Sequence, residues 1–381
     1  MWNIIRADEF CESVRDGTHD TPKPVENGFK LVTSKHILNG RVYPEDAYCI
    51  SEKDFKKINE RSKVDKWDVL MSMIGNGLGK SAIIDYTPDF AIKNIALFKI
   101  GNEAKAKWLH YFLSSNYAQN VILNYLQGTG QPFLSLNLIR GFKIWNPPNT
   151  ILEKIVKILS CYDEAIENNN KRIKLLEQMA QNLYKEWFVR FRFPGWENCE
   201  FENGIPVGWH QGRLSELLEF KRGKNITADE MEDGDVSVIS AGLEPSGYHS
   251  TSNVQGVSLT ISSSGANAGY LSIHYEDIWA ADCMFITEKN TQNIYYLYEL
   301  LNNIRLVIFN QQRGAAQPHV YSKDINNLRL WIPNEELIEN ANKLFESFHK
   351  EIYQLQRANK NLAKQRDLLL PRLMSGKLEV D

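Results

Sequence analysis

The chain has 381 residues, of which 43% are hydrophobic and 24% charged, with a net charge of −3; these are the proportions of a globular protein of two or three domains, and they exclude a uniformly basic nucleic-acid binder, so a DNA-binding face has to be a local patch. No apolar run approaches the ~20 residues that cross a bilayer, and the opening MWNIIRADEF lacks the basic and apolar blocks of a secretory signal. Five scattered cysteines (Cys11, Cys49, Cys161, Cys199, Cys283) form no C-x-x-C pair, which argues against a zinc site and fits a reducing cytoplasm.

The first segment, residues 1–149, reads as a mixed α and β domain. It opens with a polar loop, VRDGTH (Val14–His19), that offers Arg15, Thr18 and His19, and Lys35 comes later in the segment. The stretch WDVLMSMIGNGLGKSAI (Trp67–Ile83) is an alternating apolar strand, a Gly/Asn turn carrying Asn76 and Lys80, and a second strand. GNGLGKS imitates a phosphate-binding loop, but the first glycine of that motif falls on Ile74, so a strand-connecting turn is the reading. Next comes GTGQPFLSLNLIRGFKIWNP (Gly128–Pro147), preceded by Gln127. Its loop holds Thr129, Gln131 and Phe133, and its strand places Trp145 as a core anchor among alternating apolar residues. NPPN (Asn146–Asn149) lacks the aromatic that an adenine methyltransferase stacks on a flipped base. Pro147 and Pro148 end the strand instead, and Asn149 or Thr150 caps the helix beyond them.

Residues 150–192 form a first long helix. One heptad position takes Leu152, Leu159, Ile166, Ile173, Ala180 and Trp187; the other takes Ile155, Tyr162, Asn169, Leu176 and Leu183. Every seam residue but Asn169 is apolar, and no Pro or Gly interrupts, the signature of a coiled coil.

Residues 193–334 repeat the first segment. FKRGKN (Phe220–Asn225) answers VRDGTH and supplies Lys221, Arg222, Lys224 and Asn225; VQGVSLTISSSGANAGYLSI (Val254–Ile273) answers the strand–turn–strand and supplies Ser263 and Asn267. GAAQPHVYSKDINNLRLWIP (Gly314–Pro333) then aligns without a gap on Gly128–Pro147, at a constant shift of 186. Gln312, Arg313, Gln317 and His319 are its polar candidates, Trp331 matches Trp145, and Gly128 and Gly314 mark turns with positive φ. The register holding Trp, Pro and Gly together indicates an internal duplication. Residues 335–381 carry the second helix, with Ile338, Phe345 and Ile352 alternating with Phe348, Leu355, Leu362 and Leu369. Asn359 and Arg366 break this seam, and Pro371 ends or bends the helix. Asn169 and Asn359 are suited to set the register by pairing with each other.

The order domain, helix, domain, helix lets the second helix return antiparallel beside the first, which makes the fold α+β with a pseudo-twofold repeat. At 1.5 Å per residue, ~38 helical residues hold the two domains about 55 Å apart. Two similar readers on one rod suit a bipartite target with an unread gap, since half-sites on one face of a duplex lie about 34–36 Å apart per turn. No carboxylate–lysine cluster, metal pattern or glycine-rich cofactor loop stands out, so this chain is expected to catalyse nothing and to hold no metal. A coiled-coil adaptor without a DNA role is the alternative; the basic residues interleaved in both sets of loops weigh against it.

Together the repeated Gln-Pro loop, the paired heptad helices, LLEQMAQNLYKEWFVRFRFPGWE (Leu175–Glu197), DGTHDTP (Asp16–Pro22) and the ending RDLLLPRLMSGKLEV (Arg366–Val380) resemble the specificity subunits of type I restriction-modification systems. The resemblance runs over essentially the whole chain. It implies two target-recognition domains joined by two antiparallel helices, each domain reading half of an asymmetric site on double-stranded DNA. It also implies two DNA-methyltransferase subunits as partners, which hold S-adenosylmethionine and act on adenine, and a core to which two restriction/translocase subunits can add. Gln131 and Gln317 are shared between the copies and are expected to brace loops or hold phosphate; the pairs that differ, Phe133 against His319 and Thr129 against Ala315, are expected to read sequence.

Overall fold

The computed structural model describes residues 2–125, 132–314 and 317–380, except for the Asn76 side chain. It divides into two units, Met1–Ile166 with Lys360–Asp381, and Glu167–Asn359. The divisions fall inside the two long helices, so each unit holds one copy of the repeat and a part of both.

In the first unit a four-stranded antiparallel sheet runs Ser13–Asp16, Ile95–Lys99, Val69–Ser72, Ser81–Ile83. Alternation along its inner strands feeds two cores, because successive side chains leave a strand on opposite faces. Val69, Met71, Ala96 and Phe98 join the core containing helix Glu103–Ser114, while Leu70, Ile95 and Leu97 join Val32, Ile84 and Ile92 on the other side. A second sheet, Cys49–Ile50, Phe29–Val32, Ala91–Ile92, contains one antiparallel and one parallel pairing. Strand Asn3–Arg6 pairs with Lys143–Asn146.

The second unit repeats this topology. Its four-stranded sheet runs Lys221–Arg222, Cys283–Thr287, Ser258–Ser262, Leu271–His274. Its three-stranded sheet, Gly247–His249, Val236–Ile239, Ile278–Ala280, again mixes one antiparallel with one parallel pairing. His210–Arg213 pairs with Arg329–Ile332 as Asn3–Arg6 does with Lys143–Asn146.

The long helices span Asn149–Tyr184, extended by a π-helical turn over Lys185–Val189, and Glu335–Met374. Each domain core is completed by both. In the first unit Leu152, Ile155, Val156 and Leu159 of the first helix and Leu370, Leu373 and Met374 of the second lie in one cluster. In the second unit Ala180, Tyr184, Trp187 and Phe188 meet Leu337, Ile338, Ala341 and Phe345. Of the seam residues Leu152, Leu159, Phe345, Ile352 and Leu355 are buried, whereas Ile166, Ile173, Leu176, Leu183, Leu362 and Leu369 are half-buried.

The polar breaks in the seam are partnered. The Asn169 amide donates to Asn359 Oδ1 at 2.9 Å, and the Asn359 amide donates to Asn170 at 2.8 Å. Arg172 pairs with Glu351 at 2.5 Å, so partner numbers fall as the first helix advances and the pairing in the second unit is antiparallel. In the first unit Arg366 reaches Asp163 at 2.6 Å, and the Tyr111 hydroxyl donates to the same carboxylate. In the second unit buried His349 sits between the Tyr275 hydroxyl (2.7 Å) and Glu299 (3.1 Å).

Three expectations are corrected. Of the two outcomes expected at Pro371, an end or a bend, the end is excluded: the second helix continues to Met374, where buried Leu373 and Met374 outweigh the lost hydrogen bond. The first helix already begins at Asn149, so Asn149 and Thr150 stand in its first turn and not at its cap, and the Pro148 carbonyl accepts its first backbone bonds, from Ile151 and Leu152; Asn334 caps the second helix at Leu337, 2.9 Å. Trp331 is no core anchor. It is 44% exposed, and its strand buries Ile332 instead, whereas Trp145 is half-buried and stacks on Tyr117 at 4.7 Å.

Two histidines are kept neutral by burial. Desolvation pushes His110, hydrogen-bonded to Ser81 at 2.9 Å, down to about 4, and does the same to His274, bonded to Thr260 at 2.8 Å. In the unfolded chain both titrate near ~6.5, so acid protonates the unfolded state first. Stability is therefore full above about pH 6.5 and falls as pH drops toward 4. Urea titrations should show a falling midpoint over that window, and the double variant His110→Gln/His274→Gln should flatten it.

Candidate nucleic-acid interface

In each domain the four-stranded sheet brings the candidate loops to one end. In the first, Asp16 lies opposite Ala96 and Ser72 opposite Ile95, so the opening loop and the glycine turn leave the sheet side by side. In the second, Arg222 lies opposite Met284 and Ser262 opposite Cys283.

The loops are held by backbone. Gly17 donates to Ile95 O at 2.9 Å and Thr18 to Ile92 O at 3.0 Å; Gly223 donates to Cys283 O at 2.8 Å and Lys224 to Ala280 O at 2.9 Å. Both glycines are pressed against the neighbouring strand: an added Cβ would stand 2.3 Å from Ile92 O at Gly17 and 2.3 Å from Ala281 O at Gly223. The turn glycines also correspond, with φ +77° at Gly75 and +76° at Gly265.

The Gln-Pro loop crosses that turn in both domains. Gly75 N–H donates to Pro132 O at 3.2 Å and Leu134 N–H to Met73 O at 2.9 Å; Gly265 N–H donates to Pro318 O at 3.0 Å and Val320 N–H to Ser263 O at 3.0 Å. Phe133 thus sits opposite Ile74, and His319 opposite Ser264. The shared proline gives a carbonyl and has no N–H to leave unsatisfied, which accounts for its recurrence.

Several candidates are engaged within the protein. Arg15 donates to Ser13 Oγ and to the Arg61 carbonyl, both at 3.1 Å. The Thr18 hydroxyl accepts from Asp20 N–H at 3.1 Å. Both His19 nitrogens are occupied, by Asp16 at 2.9 Å and Asn94 at 2.8 Å, so His19 is a clamp. Gln312 donates to Ala268 O at 2.7 Å, Arg313 pairs with Asp324 at 2.5 Å, and His319 Nδ1 lies 2.9 Å from Gln317 O. Exposed at the surface are Lys35, Lys80, Lys221, Arg222, Lys224, Asn225 and Gln317; Phe133 is exposed, and Ser263 and Asn267 are half-buried. Lys224 Nζ stands 6.0 Å from the Trp279 ring, whose Nε1 donates to Lys224 O. Gln127, Thr129 and Gln131 lie outside the described residues, as does the Asn76 side chain; so do Gly128 and Ala315. Gly314 carries φ +95°, as its turn requires.

Asp16, Arg61, Asn94 and the exposed Tyr270 and Tyr321 share these loop ends and were not among the candidates. A match between the aromatic after each strand and loop could have pointed to Tyr321, which stacks beside His319 at 6.2 Å. Nothing in the sequence links Arg61 to Asp16.

A family model described as the type I restriction modification DNA specificity domain matches this chain twice, over residues 1–178 and 206–362. The chain belongs to that family. Among curated relatives of this specificity family, it is 24% identical over 305 residues to the type I restriction enzyme MjaIX specificity subunit of Methanocaldococcus jannaschii, covering 72% of this chain and 70% of that one. It is 21% identical over 418 residues to the HindI specificity subunit of Haemophilus influenzae, covering 84% and 88%. The crystal structure of a type I restriction-modification S subunit from M. genitalium shares the fold, with TM-score 0.60 and 17% identity over 98% of this chain and 96% of that one. The two family matches coincide with the two copies of the loop site.

The glycine contacts give a direct check. Gly223→Ala should cost about 1–3 kcal/mol, because its Cβ cannot fit against Ala281 O without moving the strand. Chemical denaturation should report this loss, while Gly77→Ala, where φ is ordinary and the nearest atom to a Cβ is 3.6 Å away, should cost less.

Proposed function

We propose that this chain is the non-catalytic, sequence-reading subunit of a type I restriction-modification complex in the cytoplasm. Residues 1–149 and 193–334 are its two recognition domains, and each reads one half of a bipartite site on double-stranded DNA. The observation that carries this reading is the repetition of one backbone-stitched loop site, presented twice with different side chains. An invariant frame with variable surface residues is what two readers of unlike half-sites need. Exposed Lys35, Lys80, Lys221, Arg222 and Lys224 supply cations to phosphates, and base edges are read beside them.

The long helices set the gap between the half-sites and dock two methyltransferase subunits, which bring S-adenosylmethionine and modify adenine; two restriction/translocase subunits complete the nuclease. Docking has support in the exposed apolar residues on the helices: Leu175, Met179 and Leu344 in the second unit and Leu368 in the first. No helix among the described residues is long and apolar enough to cross a membrane.

Removing one heptad from each long helix, ~10 Å of rod, should shorten the unread gap by about three base pairs and leave both half-sites unchanged. Mapping methylated adenines in a genome carrying the altered chain with its partner subunits reads this out. An unchanged gap would contradict the spacer role.

A further inference from the structure

The first domain contains a helix, Glu52–Ser62, that the second lacks: between strands Gly247–His249 and Ser258–Ser262 the second domain has no helix. Arg61, in the last turn of this helix, reaches across to the opening loop. Its Nη2 pairs closely with the carboxylate of Asp16, which is only 6% exposed. The same carboxylate takes His19 Nε2 at 2.9 Å, and His19 Nδ1 is fixed on Asn94 at 2.8 Å. Arg15 closes the arrangement by donating to the Arg61 carbonyl at 3.1 Å. Arg61 nevertheless keeps 61% of its side chain in solvent, and its Nε and Nη1 have no partner among the described residues. A guanidinium is thus anchored through Nη2, which also donates to the Asp16 carbonyl at 3.4 Å, and offers its remaining donors outward, beside the loops of the candidate interface.

A cation meant only to neutralise phosphate does not need such anchoring, because its attraction is insensitive to orientation. A side chain that reads a base does need it, since direction carries the discrimination. In the second domain Arg222 stands on the same strand one residue before the matching glycine, where the first domain has Asp16, and it is exposed and unpaired among the described residues. The device is therefore particular to one reader, as a specificity element must be.

We infer that Arg61, positioned by Asp16 and the His19 clamp, is a specificity-determining residue of the first domain. Through its free Nη1 it donates to an acceptor on a base edge, such as guanine O6 or N7. This rests on the recognition role proposed above.

The test uses the full complex with its methyltransferase subunits, titrated with duplexes in which each base pair of the methylated site is varied in turn. Arg61→Gln should lower discrimination about 5- to 100-fold at one base pair of one half-site and leave the other half unaltered. Arg61→Lys should do the same, because an ammonium on a flexible stem has no fixed donor plane for Asp16 to orient, and Asp16→Asn should reproduce part of the loss. Arg222→Gln should leave that base pair untouched. Arg61 is largely exposed, and thermal melts should show that each variant folds. Uniform weakening on all sequences with a salt slope reduced by about one would assign Arg61 to phosphate and overturn the proposal. Wild-type behaviour of Arg61→Lys would overturn it as well. A wild-type complex that does not discriminate sequences at all would instead remove the recognition role itself.

Discussion

The fold depends on one constraint: neither recognition domain closes its core without both long helices. The first domain's core takes in residues as distant in sequence as Leu152 and Leu373, and the second takes in Trp187 and Phe345. Burying such side chains contributes about 1.5–3 kcal/mol each, so a detached domain would expose a face it cannot otherwise cover. The polar links sharpen the same arrangement. Asp163 answers both Tyr111 and Arg366 in the first unit, and in the second His349 answers Tyr275 and Glu299. A buried polar contact such as His349–Glu299 adds little net stability but penalises misalignment strongly, which makes register its natural role.

On this frame the loops are fixed by main-chain hydrogen bonds that any sequence can make. Glycine at 17, 75, 223 and 265 and proline at 132 and 318 are needed for the crossing; the side chains around them are not. That separation explains how one site can be written twice with different chemistry, Asp16 and an anchored Arg61 on one side, exposed Arg222 on the other.

Much of this was legible in the sequence. The gap-free repeat gave the two domains, the heptads gave the helices, and Asn169 and Asn359 were recognisable as partners because both interrupt the same seam. Arg366 looked like a flaw in that seam, since an ion pair with Asp163 cannot be seen in one helix's periodicity. Trp331 was misplaced because an alternating strand has the same pattern whichever face is buried. Arg61 was missed for a similar reason: an arginine near the end of an amphipathic helix reads as solvated surface until the tertiary fold brings Asp16 beside it. His19 was visible as polar but not as a clamp, because its partners lie three and seventy-five positions away.

The shared cores can be tested by hydrogen exchange on the full chain carrying Leu373→Asp, a charge placed at a position only 1% exposed. Amides of residues 106–113 and 152–159, which pack in the same core as Leu373, should lose protection, while those of 294–301 in the other core should keep it. Unchanged protection in 106–113 and 152–159, or equal loss in both cores, would contradict domains that are each completed by the far end of the chain.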